Sequence, residues 1–192
     1  MTNTADMEQR IITAAITCIE RVGIRGATVR RIAEEAEVNV AAINYYFRSK
    51  EQLMERAMET TLNNAFDWEH FSTTENAPPK ERLVAILEHL TAGAQAFPEI
   101  TRAHFITPLS EHQTDALPYH RFREFMEKLY DDLVCRGAKP GEELRTAILQ
   151  AVTASILGIG LLLDLSIGFI PRDLTNPEVR RTYIERLVDR IL

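Results

Sequence analysis

Side chains suited to a charged, polar partner gather between Thr28 and Lys50, in the stretch TVRRIAEEAEVNVAAINYYFRSK. Asn44, Tyr45 and Tyr46 are consecutive there, on a short helix whose other face carries Ile43 and Phe47. Helical spacing turns their polar groups away from that apolar face. Lys50 then places a cation in the first turn of the next helix, opposing the helix dipole at about 0.3–1 kcal/mol. Two explanations stand side by side: a solvated lysine whose penalty is screened, or a lysine that grips a phosphate together with the exposed first-turn amides. Amides and phenols placed this way suit a polar partner better than a core.

Residues that do covalent or metal chemistry are dispersed. His70, His89, His104, His112 and His120 show no HExxH or Cys/His ligand spacing, and there is no G-x-S-x-G, P-loop or dinucleotide glycine pattern. Cys18 and Cys135 are far apart. Cys18 falls on an apolar helical face, the setting of a buried reduced thiol, and such usage fits a reducing cytosol. No catalytic residue, metal or cofactor is expected, and an enzyme reading has nothing positive behind it. His89, His104, Phe105, Phe122, Met126 and Tyr130 either line a small-molecule cavity between C-terminal helices or are ordinary core packing beside partly exposed histidines.

The 192 residues allow one large domain or a small module with a larger one. An apolar content of 45% and a charged content of 26% are those of an ordinary globular chain. The net charge of −6 argues at first against a polyanionic partner. Residues 1–56, however, hold eight Lys/Arg and eight Asp/Glu, so the remainder, with fourteen against twenty, carries the whole deficit. The N-terminal part is relatively basic within an acidic protein. Its first ten residues lack a basic segment followed by an apolar one, so no signal peptide is expected.

The elements that must position these groups are helices. Asp6 can cap a first helix to about Val22, with Met7, Ile11, Ala15 and Cys18 along one stripe, ended by Gly23 and Gly26. Thr28 caps a second, Val29 to about Ala36, and Asn39 caps a third, Val40 to about Phe47. Ser49 opens a capping box in which Gln52 can reach back to the Ser49 backbone, starting a fourth helix to about Trp68. Two helices as short as the second and third cannot stand alone, because nucleation is costly. Their arrangement is that of a helix-turn-helix, which presents its second helix to the DNA major groove.

Residues 69–80, with Pro78-Pro79, read as a loop. Helices follow from about Lys80 to Phe97, from Pro98 with a stop or kink at Pro108, and from about Pro118 to Arg136. A long apolar helix runs from Glu142 to about Ile167, and a last one from about Asn176 to Leu192. Eighteen uncharged residues between Arg145 and Asp164 reach the lower edge of a membrane span. Gln150, Thr153 and Ser155 inside it favour a helix buried in protein, so no membrane is expected. Gly158 and Gly160 would let another backbone come close.

The segment from about Asp6 to Leu62 resembles the DNA-binding domain of the TetR family of transcriptional regulators. The resemblance rests on Gly23 and Gly26 before Thr28, Ile32-Ala33, Val38 in the turn, Phe47, then Ser49-Lys50-Glu51 and Leu53. It implies an all-α fold of nine or so helices, with residues 6–62 as a helix-turn-helix domain and 63–192 as a helical ligand-binding and dimerisation domain. By position, Thr28, Tyr46 and Lys50 resemble phosphate contacts, and Arg30 resembles a base contact, for which guanine O6/N7 is the natural partner. Val40, Ala41 and Ala42 offer only van der Waals contact, as to a thymine methyl. Asn44 can bond adenine or make a local polar contact, and Tyr45 can touch phosphate or pack.

Departures from the family pattern fall in the same stretch. Glu37 stands where the family has Gly, at about 1 kcal/mol if the turn is left-handed. Asn44 replaces a common Tyr, and Ala41 and Ala42 replace a common Gly and Thr. The resemblance implies a cytoplasmic, ligand-responsive repressor that binds a palindromic double-stranded DNA operator as a homodimer. Dimerisation would use the last two helices, about 142–167 and 176–192, with an unknown small-molecule effector. The alternative is a helical ligand-binding or scaffolding dimer whose N-terminal module reads no specific DNA.

Overall fold

The computed structural model describes residues 4–113, 115–161 and 173–192. Among them the chain is all-α, and it divides into two compact units, residues 1–64 with 99–114 and residues 65–98 with 115–192.

In the first unit, α1 (Thr4–Gly26) packs Ile11, Ile12, Ala15, Cys18 and Ile19 into a core. Its regular part stops at Gly23, whose φ of 72° is the left-handed conformation that glycine adopts at little cost. Asp6, expected as the cap, instead sits inside the first turn, where its charge still favours the dipole. Next come α2 (Val29–Glu35), α3 (Val40–Tyr46) and α4 (Lys50–Ala65). The fourth helix ends short of the expected Trp68. The same unit takes in α6 (Pro98–Ser110), and Ile100 enters its core. The α6 start is capped from afar: Glu20 of α1 accepts the backbone N–H groups of Glu99 and Ile100, each at 3.2 Å. A carboxylate at a helix N-terminus satisfies orphan donors and complements the dipole. Pro108 lies in the last turn of α6 and does not end it at once.

The second unit is built round α5 (Pro79–Ala96), which buries Leu83, Val84, Ile86, Leu87 and Leu90. The expected loop before it contains a 3-10 helix, Trp68–Thr74, with Phe71 buried. Arg82, only 4% exposed, holds that turn in place. It donates to the Phe71 carbonyl, to Thr74 Oγ1 at 2.8 Å and to Asp132 Oδ2 at 3.1 Å. Around α5 lie α7 (Leu117–Cys135), α8 (Glu142–Thr153) and α9 (Pro177–Val188). The long helix expected from Glu142 widens into a π-helical stretch, Ala154–Leu161. Its expected end near Ile167, with Asp164 and Pro171, falls outside the described residues.

Glu142–Leu161 is long and apolar enough to cross a membrane by length and composition, yet nearly half of it is buried in protein. The buried side, with Leu144, Ile148, Val152, Ile156 and Ile159, faces other protein. Gly160 meets Ala94 of α5 so closely that a Cβ there would collide with it. Gly158, by contrast, has open space around it.

Candidate nucleic-acid interface

The helix-turn-helix forms because each piece is capped by its own sequence. Thr28 Oγ1 accepts from Arg31 N–H at 3.3 Å, and Asn39 Oδ1 accepts from Ala42 N–H at 2.8 Å. Such caps each contribute about 1 kcal/mol. At the start of α4, Ser49 Oγ accepts from Gln52 N–H at 3.1 Å. Gln52 reaches back one residue further than expected, to Arg48 N–H at 3.0 Å rather than to Ser49. Ile32, Ala33, Ile43 and Phe47 then bind the two short helices onto α1 through the shared core. Ile43 is 2% exposed, and truncation of such a residue to Ala typically costs about 2–5 kcal/mol.

Between α2 and α3, Glu37 has φ 52°, the left-handed conformation anticipated at the position where the family carries Gly. Arg10 of α1 lies against it and donates to its backbone carbonyl at 3.4 Å and its carboxylate at 3.3 Å.

Burying Ile43 fixes what α3 shows to solvent. Val40, Ala41, Asn44 and Tyr45 are exposed, and Ala42 is half-buried. Asn44 makes no side-chain hydrogen bond among the described residues, so the local polar contact is not made. Tyr45 is 80% exposed and meets Tyr46 edge to face, with ring centroids 5.2 Å apart. Tyr46 packs against the core. The Thr28 hydroxyl uses an acceptor lone pair in its cap and keeps its O–H to donate. Arg30 pairs with Glu34 at 3.4 Å, both strongly exposed, an ion pair weak enough to exchange for another anion. Lys50 has no ion-pair partner among the described residues. Arg31, in contrast, is engaged, its guanidinium donating to the Gly26 carbonyl at 2.9 Å.

The six residues considered for a small-molecule cavity separate. Phe122, Met126 and Tyr130 of α7 share a groove of about 460 Å³ with Ile148 and Leu149 of α8. His89 does not line it. It stacks on His70 with ring centroids 4.9 Å apart and lies edge-on to Phe71. His104 and Phe105 belong to the first unit, on α6. His104 is 5% exposed. The Thr61 hydroxyl donates to the Met58 carbonyl and therefore accepts from His104 Nε2–H, both at 2.8 Å. Burial pushes the His104 pKa down to about 4, so the ring is neutral near pH 7.

Missed by the sequence reading are Arg10 and Glu20, because each acts on a turn or helix start distant in the chain. The Asp132–Arg136 pair, spaced i,i+4 and bonded at 2.9 Å, carried a legible signal.

Residues 11–57 match the family model described as bacterial regulatory proteins, tetR family. Over 60 residues the chain is 42% identical to the HTH-type nicotine-responsive transcriptional repressor HdnoR of Paenarthrobacter nicotinovorans, a match covering 31% of each chain. It is 30% identical over 95 residues to the HTH-type transcriptional regulator BetI of Vibrio campbellii, 48% of each chain. The alignments thus span about half or less of these relatives' lengths. In fold, it is similar to a transcriptional regulator from Rhodococcus sp. Rha1, with TM-score 0.69, 21% identity, and 96% and 95% of the two chains covered. A TetR-family regulator from Mesorhizobium loti gives TM-score 0.70 at 18% identity, covering 100% of this chain and 95% of that one. Residues 11–57 thus carry a helix-turn-helix of the tetR type, within a helical fold that matches TetR-family regulators along the chain.

Proposed function

We propose that the protein is a cytoplasmic transcriptional repressor that binds a palindromic DNA operator as a homodimer and responds to a small-molecule effector. The observation that carries the reading is the exposed face of α3. Asn44 and Tyr45 stand outward on a helix whose inner face is locked by Ile43, and Lys50 at the start of α4 has no carboxylate partner among the described residues. Thr28, Tyr46 and Lys50 hold phosphates and set the register, while Arg30, Asn44 and the apolar Val40, Ala41 and Ala42 meet base edges. Few groups reach the bases, so much of the specificity comes from the spacing of two copies.

Dimerisation through α8, its π-helical continuation and α9 is supported by an exposed stripe of Thr146, Gln150, Ala154 and Gly158 that carries no charge. Tyr183 on α9 adds a partly exposed aromatic surface. Two such faces in a symmetric pair make a self-complementary interface. An effector held by the second unit shifts the equilibrium by no more than its differential affinity for the two conformations. Selection of bound fragments from the source genome tests the reading. It should recover one sequence with two-fold symmetry; recovery of no enriched sequence would overturn it.

A further inference from the structure

The groove between α7 and α8 has about 460 Å³, within the roughly 300–1,000 Å³ of small-molecule sites. Its α7 wall runs from Tyr119 to Tyr130, about 16 Å at 1.5 Å per residue. Phe122, Met126, Ile148 and Leu149 give its lining apolar surface.

Three charged residues stand along it: Arg123, Glu127 and Arg145. Glu127 lies one turn beyond Arg123 on the same helix, yet its carboxylate pairs with Arg145 across the groove at 2.6 Å. Arg145 is held a second way, its guanidinium 3.9 Å from the centre of the Tyr130 ring. Tyr130 is itself fixed, because its hydroxyl accepts the Gly141 N–H at 3.1 Å. The carboxylate is therefore already neutralised by a cation that the fold keeps in place. Arg123 has no ion-pair partner among the described residues, and two arginines less one glutamate leave the groove at +1. An entering organic cation would find no open carboxylate and a residual like charge. An organic anion would find Arg123 open, with Arg145 on the facing helix.

We infer that this groove binds an amphipathic organic carboxylate, its head on Arg123 and its chain along Phe122, Met126 and Ile148. The inference deepens the reading of the second unit as the effector-binding unit and rests on it. Calorimetric titration of the full-length protein with decanoate, decylamine and decanol tests it. Decanoate should bind at least about tenfold tighter than decylamine, the scale of one charge-assisted hydrogen bond. Arg123→Gln should erase that preference without lowering the melting temperature, since the side chain is on the surface. Leu149→Glu, at a position 49% exposed, should weaken decanoate as well, by placing a like charge at the groove wall. Equal or tighter binding of decylamine, decanoate binding unchanged in both variants, or no saturable decanoate binding in a protein that still holds DNA would overturn the site. Arg123-dependent decanoate binding that leaves DNA affinity unchanged would instead overturn the effector reading and leave the site standing.

Discussion

Arg10 reaches from the first helix to Glu37, bonding both the carbonyl and the carboxylate of a residue held at φ 52°. A side chain from another element thus lies against the left-handed turn between α2 and α3. The pair is exposed, 45% and 86% for the two side chains, and so contributes little. The strain in the backbone outweighs it. Glu37→Gly should therefore raise stability by about 0.5–1 kcal/mol, read as a higher melting temperature, while Arg10→Ala should cost less than about 1 kcal/mol. A Glu37→Gly protein that melts lower than the parent would show that the turn is not strained.

His104 makes the first unit sensitive to acid. Its pKa falls from 6.5 to about 4 on burial, so between those values the unfolded chain takes up a proton that the folded chain refuses. Stability is full above about pH 6.5 and declines as the pH drops toward 4. The loss is on the order of 3 kcal/mol at one and a third per pH unit. His104→Gln should flatten this part of the stability–pH profile in chemical unfolding. An unaltered slope would place the titrating group elsewhere.

Gly160 and Gly158 are two residues apart and should answer differently. Gly160→Ala drives a methyl group into Ala94 and should destabilise the fold by about 1–3 kcal/mol. Gly158→Glu enters open space and should leave the monomer's fold intact while placing like charges across the proposed two-fold interface. Sedimentation should then show a monomer with a near-native melting profile. A Gly158→Glu protein that remains dimeric would move the interface off this face.

Lys50→Ala should weaken DNA binding across all sequences and reduce the slope of log K against log salt by about one. A slope unchanged from the parent would remove Lys50 from the phosphate contacts.

Which parts of this were legible in the sequence follows from how local each interaction is. The caps at Thr28, Asn39 and Ser49 act within three residues of themselves and all three hydroxyl or amide oxygens accept as read, although the return bond from Gln52 goes to Arg48 and not to Ser49. Phe122, Met126 and Tyr130 recur every four residues and therefore share one helix face, and they line the same groove. His89 and His104 share no such spacing with them, and the fold sends each to a different place. Placement of α6 was not legible, because the contact that ties it to the first unit joins Glu20 to Ile100, 80 residues apart. The π-helical stretch at Ala154–Leu161 was not legible either, and Gly160 within it lies close against Ala94 of α5.

Footprinting of a selected genomic fragment by the full-length protein tests the central claim most directly. The account predicts two protected half-sites related by a two-fold axis, their centres about one helical turn or 34–36 Å apart, with protection lost on adding random duplex only at large excess. Protection without two-fold symmetry, or random duplex competing as well as the selected fragment, would contradict it.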